Sequence, residues 1–172
     1  MTTWLQQIIG ESNGRPFSQD ELHRIVSAAE MLPEKLAAIK KMEDAQKWLV
    51  RQLSEHISPR AAEWGLPKDP FSTDFAVLLA AVGQALLCDD LDLVDANVVH
   101  PCVQLAEALE LPVSVWVGLF EVAVTTLTQK LDQRSMELLK PYFQRAIDEL
   151  RTADFQVEPA SRTASAFAVM EV

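Results

Sequence analysis

Three histidines, two cysteines and a short run of carboxylates are the side chains of this sequence best suited to chemistry. Asp89, Asp90, Asp92 and Asp95 cluster as they would in a calcium loop, where oxygen ligands hold a hard cation. Such a loop also needs a glycine at its sharp turn and a bidentate glutamate at its far end, and this segment has neither. Helix capping and solvation account for the four carboxylates instead. Cys88 and Cys102 are too few for a disulfide framework and too isolated for a zinc site, so both read as reduced, buried thiols. His23 falls on a helix surface, and His56 lies in a C-terminal turn, where a protonated imidazole favours the helix dipole. His100 invites the thought of a haem ligand, because all-helical chains of this size include the globins. Its position before Pro101 puts it at a helix start, whereas a haem ligand projects from a helix body; a locally bonded or partly exposed imidazole is the reading. There is no Gly-rich phosphate loop, no Gly-x-Ser-x-Gly, no His-Glu-x-x-His and no cysteine pair, and no enzyme activity is expected.

These residues must be carried by a chain of 172 residues, a length that suits one domain. Apolar residues make up 49% of it and glycine only five positions, enough to bury a core and outside the usual disordered composition. A net charge of −10 repels phosphates, so DNA and RNA are not expected partners. The longest apolar stretch, Phe75 to Cys88, falls short of the roughly 20 residues that cross a bilayer, and no membrane insertion is expected. The first residues have neither a basic region nor a long apolar core, which argues against a secretory signal and for a cytoplasmic location.

Apolar periodicity of helical type runs through the chain, and no alternating run argues for a sheet; the expected class is all-α. Ser18-Gln19-Asp20-Glu21 is a capping box that starts a helix, with Leu22, Ile25, Val26 and Ala29 as its buried face. Pro33 is expected to end that helix and open a second, which runs to about Ile57 with Leu36, Ile39, Met42, Leu49 and Leu53 inward and Lys35, Lys40, Lys41, Glu43, Lys47 and Arg51 outward. Three prolines and a glycine between Ser58 and Pro70 predict a structured loop. The segment Phe75–Cys88 is apolar nearly all round, as expected of a helix sandwiched in the core. Asn97 is expected to cap a helix ending near Leu109, Pro112 to open another running to about Lys130, and Asp132 to Arg151 to form the last, kinked at Pro141. Residues 1–152 then form the single domain, and 153–172 a flexible or partner-docking tail. Near the N-terminus Trp4, Leu5, Ile8 and Ile9 make an apolar ridge too small to fold alone, a candidate interface on this chain or on another.

Several segments, in order, bear a resemblance to one family. Pro16-Phe17-Ser18-Gln19-Asp20-Glu21-Leu22-His23-Arg24-Ile25 is similar to the Tyr-Leu-Ser-Pro-x-Glu-Leu-x-x-Ile-like segment of phycobiliprotein subunits, the light-harvesting proteins of cyanobacteria and red algae. Glu43 to Gln52 resembles the family's second long helix. Leu109-Glu110-Leu111-Pro112-Val113 resembles its Leu-Gly-x-Pro-Ile turn, and Pro141-Tyr142-Phe143-Gln144-Arg145-Ala146-Ile147 the Tyr-Phe-x-x-Ile of its final helix. The matches cover about residues 16 to 150 and imply a globin-like fold with an N-terminal helical arm.

The family's signature is a cysteine in a Cys-x-Arg-Asp motif that forms a thioether to a linear tetrapyrrole. The resemblance puts Phe71 at the cysteine, Thr73 at the arginine and Asp74 at the aspartate. Phenylalanine has no nucleophilic sulfur and threonine no bidentate cation, so this register implies no covalent bilin and no cofactor. Cys88 stands about 20 Å along the same helix and is no substitute. Asp74 is left either to cap a helix or, in the alternative reading, to anchor a bilin bound without a covalent link. Family subunits also pair through the N-terminal arm, using a central-helix arginine whose place here is Ala80; the arm survives as Trp4 to Ile9. The resemblance thus implies a bilin-free relative of phycobilisome subunits, acting by protein contacts in phycobilisome assembly, turnover or regulation at the cytoplasmic face of thylakoids, and pairing as a homodimer. A dimeric stress-sensor globin without pigment is the remaining alternative.

Overall fold

The computed structural model describes residues 4–63 and 72–157. Among the described residues every regular element is a helix. The order is α1 (Trp4–Ser12), α2 (Gln19–Glu63), α3 (Ser72–Cys88), α4 (Asp92–Val94), a π-helical turn (Asp95–Val99), α5 (His100–Ala108), α6 (Ser114–Lys130) and α7 (Gln133–Val157).

Local hydrogen bonds explain where these helices start and stop. Asn13 and Gly14 take left-handed conformations after α1, two residue types for which that costs least. The capping box forms as the sequence predicts: Ser18 N–H donates to Glu21 Oε2 at 2.7 Å, and Glu21 N–H to Ser18 Oγ at 3.3 Å. Arg15 donates two further bonds to the same carboxylate, at 2.8 and 2.6 Å, clamping the link between α1 and α2. At the end of α3, Asp89 has φ 50° while Asp90 N–H donates to the Ala85 carbonyl; at the end of α5, Glu110 has φ 53° while Leu111 N–H donates to the Ala106 carbonyl. Both are helix ends closed by a left-handed residue and a six-to-one bond. Asp132 caps α7 by accepting Ser135 N–H at 3.0 Å, and Lys41 of α2 donates to the same carboxylate, holding it well below the usual carboxylate range.

The core gathers one face from each long helix. Phe75 of α3, Phe120 of α6 and Phe143 of α7 form an aromatic spine, with ring centroids 5.2 Å and 6.2 Å apart in succession. Trp116, Leu49, Val82, Leu127, Leu139 and Leu150 are fully buried around it. Truncating a ring at this depth costs about 3–5 kcal/mol. Trp48 lies below the Lys130 ammonium, 4.5 Å from its ring centroid, which ties α2 to the end of α6.

Six sequence expectations need correction. Pro33 does not break the chain into two helices: α2 runs through it and through Pro59 to Glu63, past the loop expected from Ser58. A proline inside a helix forfeits one hydrogen bond, and the packing of α2 on α3, α6 and α7, through buried Ala38, Met42, Leu49, Leu53 and Ile57, outweighs that loss. The face expected to be buried by Leu22, Val26 and Ala29 is exposed, as is Leu36, because no described element covers it. Lys35, expected outside, is buried. The sandwiched helix α3 has one open face, where Val77 is 64% exposed. Finally, Asn97 caps nothing: helical structure begins at Asp92, and Asn97 sits inside the π turn. Pro101 gives that turn a local cause, since its ring excludes the carbonyl four residues back and the preceding turn widens, His100 N–H reaching the Asp95 carbonyl. The last helix also continues to Val157, beyond the expected end at Arg151; residues 158–172 of the expected tail lie outside the described residues.

Candidate functional site

The start of α3 carries the residues that the resemblance singles out. Phe71 lies outside the described residues. Thr73 is exposed, and Asp74 is half-buried in the first turn, where a carboxylate complements the helix dipole. Asp74 is close enough to Cys102 of α5 to affect it electrostatically. Burial pushes the Cys102 thiol well above its ordinary range, and the negative charge of Asp74 adds to that. Cys102 is therefore a protonated, shielded thiol with no nucleophilic character, while Cys88 is only half-buried.

The carboxylate cluster after α3 is taken up by structure. Asp89 pairs with Lys35, Asp90 Oδ1 accepts Asp92 N–H at 2.9 Å, and Asp95 receives a bidentate pair from Arg145 at 2.9 and 2.7 Å. Among the described residues no three histidine, cysteine, aspartate or glutamate side chains come together as a metal cage. His100 is exposed and bonded to Gln104 at 3.1 Å, while His23 and His56 are exposed on α2.

The surface is the other part of the candidate site. Thr73, Val77, Ala80, Gln84 and Leu87 follow one another at helical spacing along the open face of α3, and not one is charged. Beside them lie two grooves against α2 that share Leu87. One, of about 470 Å³, is lined by Ile39, Met42, Ala80 and Gly83 among others; the second, of about 210 Å³, by Ile25, Ala29 and Leu32. Exposed Leu22, Val26 and Leu36 extend the apolar surface along α2. Of the expected N-terminal interface, α1 carries all four residues; Ile8 is fully buried, Ile9 is exposed, and the side chains of Trp4 and Leu5 lie outside the described ones. The open faces of α2 and α3 have no signal in the sequence, because a covered and an uncovered apolar stripe share one periodicity.

An all-α, globin-like arrangement with an N-terminal helical arm is the class that these elements define. The chain belongs to the phycobilisome protein family, whose model, described as phycobilisome protein, matches residues 10–150. No curated protein matches it. Proteins of this family are structural components of a light-harvesting antenna, and membership gives the chain a phycobiliprotein-like role. No helix among the described residues is long and apolar enough to cross a membrane.

Proposed function

We propose that this is a phycobiliprotein-like protein without covalently attached bilin, acting by protein contacts in phycobilisome assembly, turnover or regulation. It works at the cytoplasmic face of thylakoids, and its basic unit is a homodimer. The observation that carries the reading is the uncharged open face of α3, continuous with the grooves and exposed leucines of α2. In a molecule of net charge −10, the open face of α3 itself carries no carboxylate to oppose a second copy, Glu43 and Asp89 lying in the adjoining grooves, and exposed Val77 and Leu36 offer apolar side chains for a self-complementary two-fold contact. Phe71 and Thr73, where the family motif has cysteine and arginine, support the absence of a thioether.

Sedimentation of the purified protein and its Val77→Arg variant tests the pairing: the wild type should run as a dimer and the variant as a monomer of unchanged helicity. A wild-type monomer across the accessible concentration range sinks the dimer. Co-purification from cells that contain phycobilisomes should recover antenna subunits; recovery of signalling kinases alone would sink the antenna role. A second reading rests on half-buried Asp74: a bilin held without a covalent link. Visible absorbance after mixing with biliverdin, lost in Asp74→Ala, would favour it over the first.

A further inference from the structure

A cavity of about 660 Å³ lies away from the start of α3, between the first half of α2, the end of α3 and α7. Its size is within the range of small-molecule sites. The walls are aliphatic, with Ala28 and Met31 from α2 facing Leu86 and Leu138. Its floor is polar and buried: the Lys35 side chain is only 6% exposed, and Tyr142 is buried beside it. The electrostatics of the lining are uneven. Lys35 is matched by Asp89, and Glu137 is drawn toward its own helix by Gln133 at 2.8 Å and Arg134 at 3.9 Å. Arg24 lines the same cavity, exposed beside His23, and enters no ion pair among the described residues. An open pocket with an aliphatic wall, three charges in its lining that are already matched (Lys35, Asp89 and Glu137) and one guanidinium outside any described ion pair favours an anion over a cation.

We infer that this cavity is a binding site for a small amphipathic carboxylate, with its apolar body against Met31 and Leu138 and its anionic group on Arg24. The carboxylate gains a charge-assisted, bidentate partner that is otherwise left to solvent. A cation of the same shape would meet Arg24 and the Lys35 side, and a neutral analogue would keep only the apolar contact. The cavity shares Ala28, Lys35 and Asp89 with the smaller groove beside the pairing face, while the inference uses neither Val77 nor any pigment at Asp74.

The test uses the full chain with three isosteric probes, naphthalene-2-carboxylate, naphthalene-2-carboxamide and 2-naphthylmethylamine, followed by calorimetry and by the methyl NMR signal of Met31. The carboxylate should bind, shift the Met31 signal and outrank the amide by roughly tenfold, the worth of one charge-assisted hydrogen bond. Arg24→Gln should erase that preference, and Arg24→Lys should restore part of it, with circular dichroism unchanged in both. Equal binding of the three probes, preference for the amine, or binding that leaves Met31 unmoved would overturn the inference. So would loss of the probe on dimer formation, which would make this groove a contact between protein copies.

Discussion

The Lys35 ammonium of α2 meets the Asp89 carboxylate just past the end of α3, with the lysine shielded from solvent and the aspartate 43% exposed. Asp89 also holds the left-handed backbone position that closes α3. One residue therefore terminates a helix and neutralises a buried charge, and it sits next to Tyr142, whose hydroxyl is pushed up to about 12 by burial and by Asp89 and Asp90.

Asp89 and Glu110 occupy equivalent left-handed positions, which separates their two roles. Glu110→Gly should raise stability by about 1 kcal/mol, since glycine is free of the Cβ penalty there. Asp89→Gly gains the same backbone relief but strands the Lys35 ammonium, and should cost about 2–3 kcal/mol net. Lys35→Met, which removes the buried charge and keeps the volume, should stay within about 1 kcal/mol of wild type. Urea unfolding of the three variants checks the order; a destabilised Glu110→Gly would refute the strain argument.

Acid should act on the joint between α1 and α2. The Arg15 guanidinium and the Ser18 cap lower the Glu21 carboxyl to about 2, from an ordinary value of 4.5. A lowered folded-state pKa stabilises above pH 4.5 and loses its effect as pH falls toward 2. The melting-temperature gap between wild type and Glu21→Gln should therefore be constant above pH 5 and close between pH 4.5 and 2. A gap independent of pH over that window would rule out the linkage.

The thiols should differ in reactivity. Half-buried Cys88 should react first with a thiol reagent in the native protein, while Cys102, fully buried and with its thiolate disfavoured, should react only on unfolding. Titration before and after adding guanidinium counts them. Two equally fast native thiols would contradict the described packing of α5.

Gly83 lies at the contact of α2 with α3, and a Cβ there would sit 3.5 Å from the nearest Ile39 carbons, an ordinary van der Waals distance. Gly83→Ala should thus raise stability by about 0.5–1 kcal/mol through helix propensity alone. A lower denaturation midpoint would mean that the two helices cross more closely than this.

Much of the local structure is legible in the residues themselves. The Ser18–Glu21 box, the helix start at Asp132 and the helix end near Leu109 before Pro112 follow from groups within a few residues of one another, so reading along the chain finds them. The errors have one origin. Pro33 reads as a boundary because its cost is local, whereas what outweighs it, the packing of α2 on α3, α6 and α7, is distant in sequence. Lys35 reads as outward because its partner, Asp89, is more than fifty residues away. The candidate site was half legible: Asp74 and the substitution at Thr73 stand out in the sequence, while the Arg24 cavity belongs to three helices and has no signature in any one of them.

The amino-acid order alone determined an all-helical chain, most of its helix ends and the absence of a sulfur at position 71, since these depend on backbone hydrogen bonds, 3.6-residue periodicity and side-chain identity. Only the tertiary structure decided which apolar faces are covered. A stripe such as Leu22, Val26 and Leu36 looks the same in sequence whether a neighbour packs on it or not, because periodicity records that a face is apolar and carries nothing about what lies opposite.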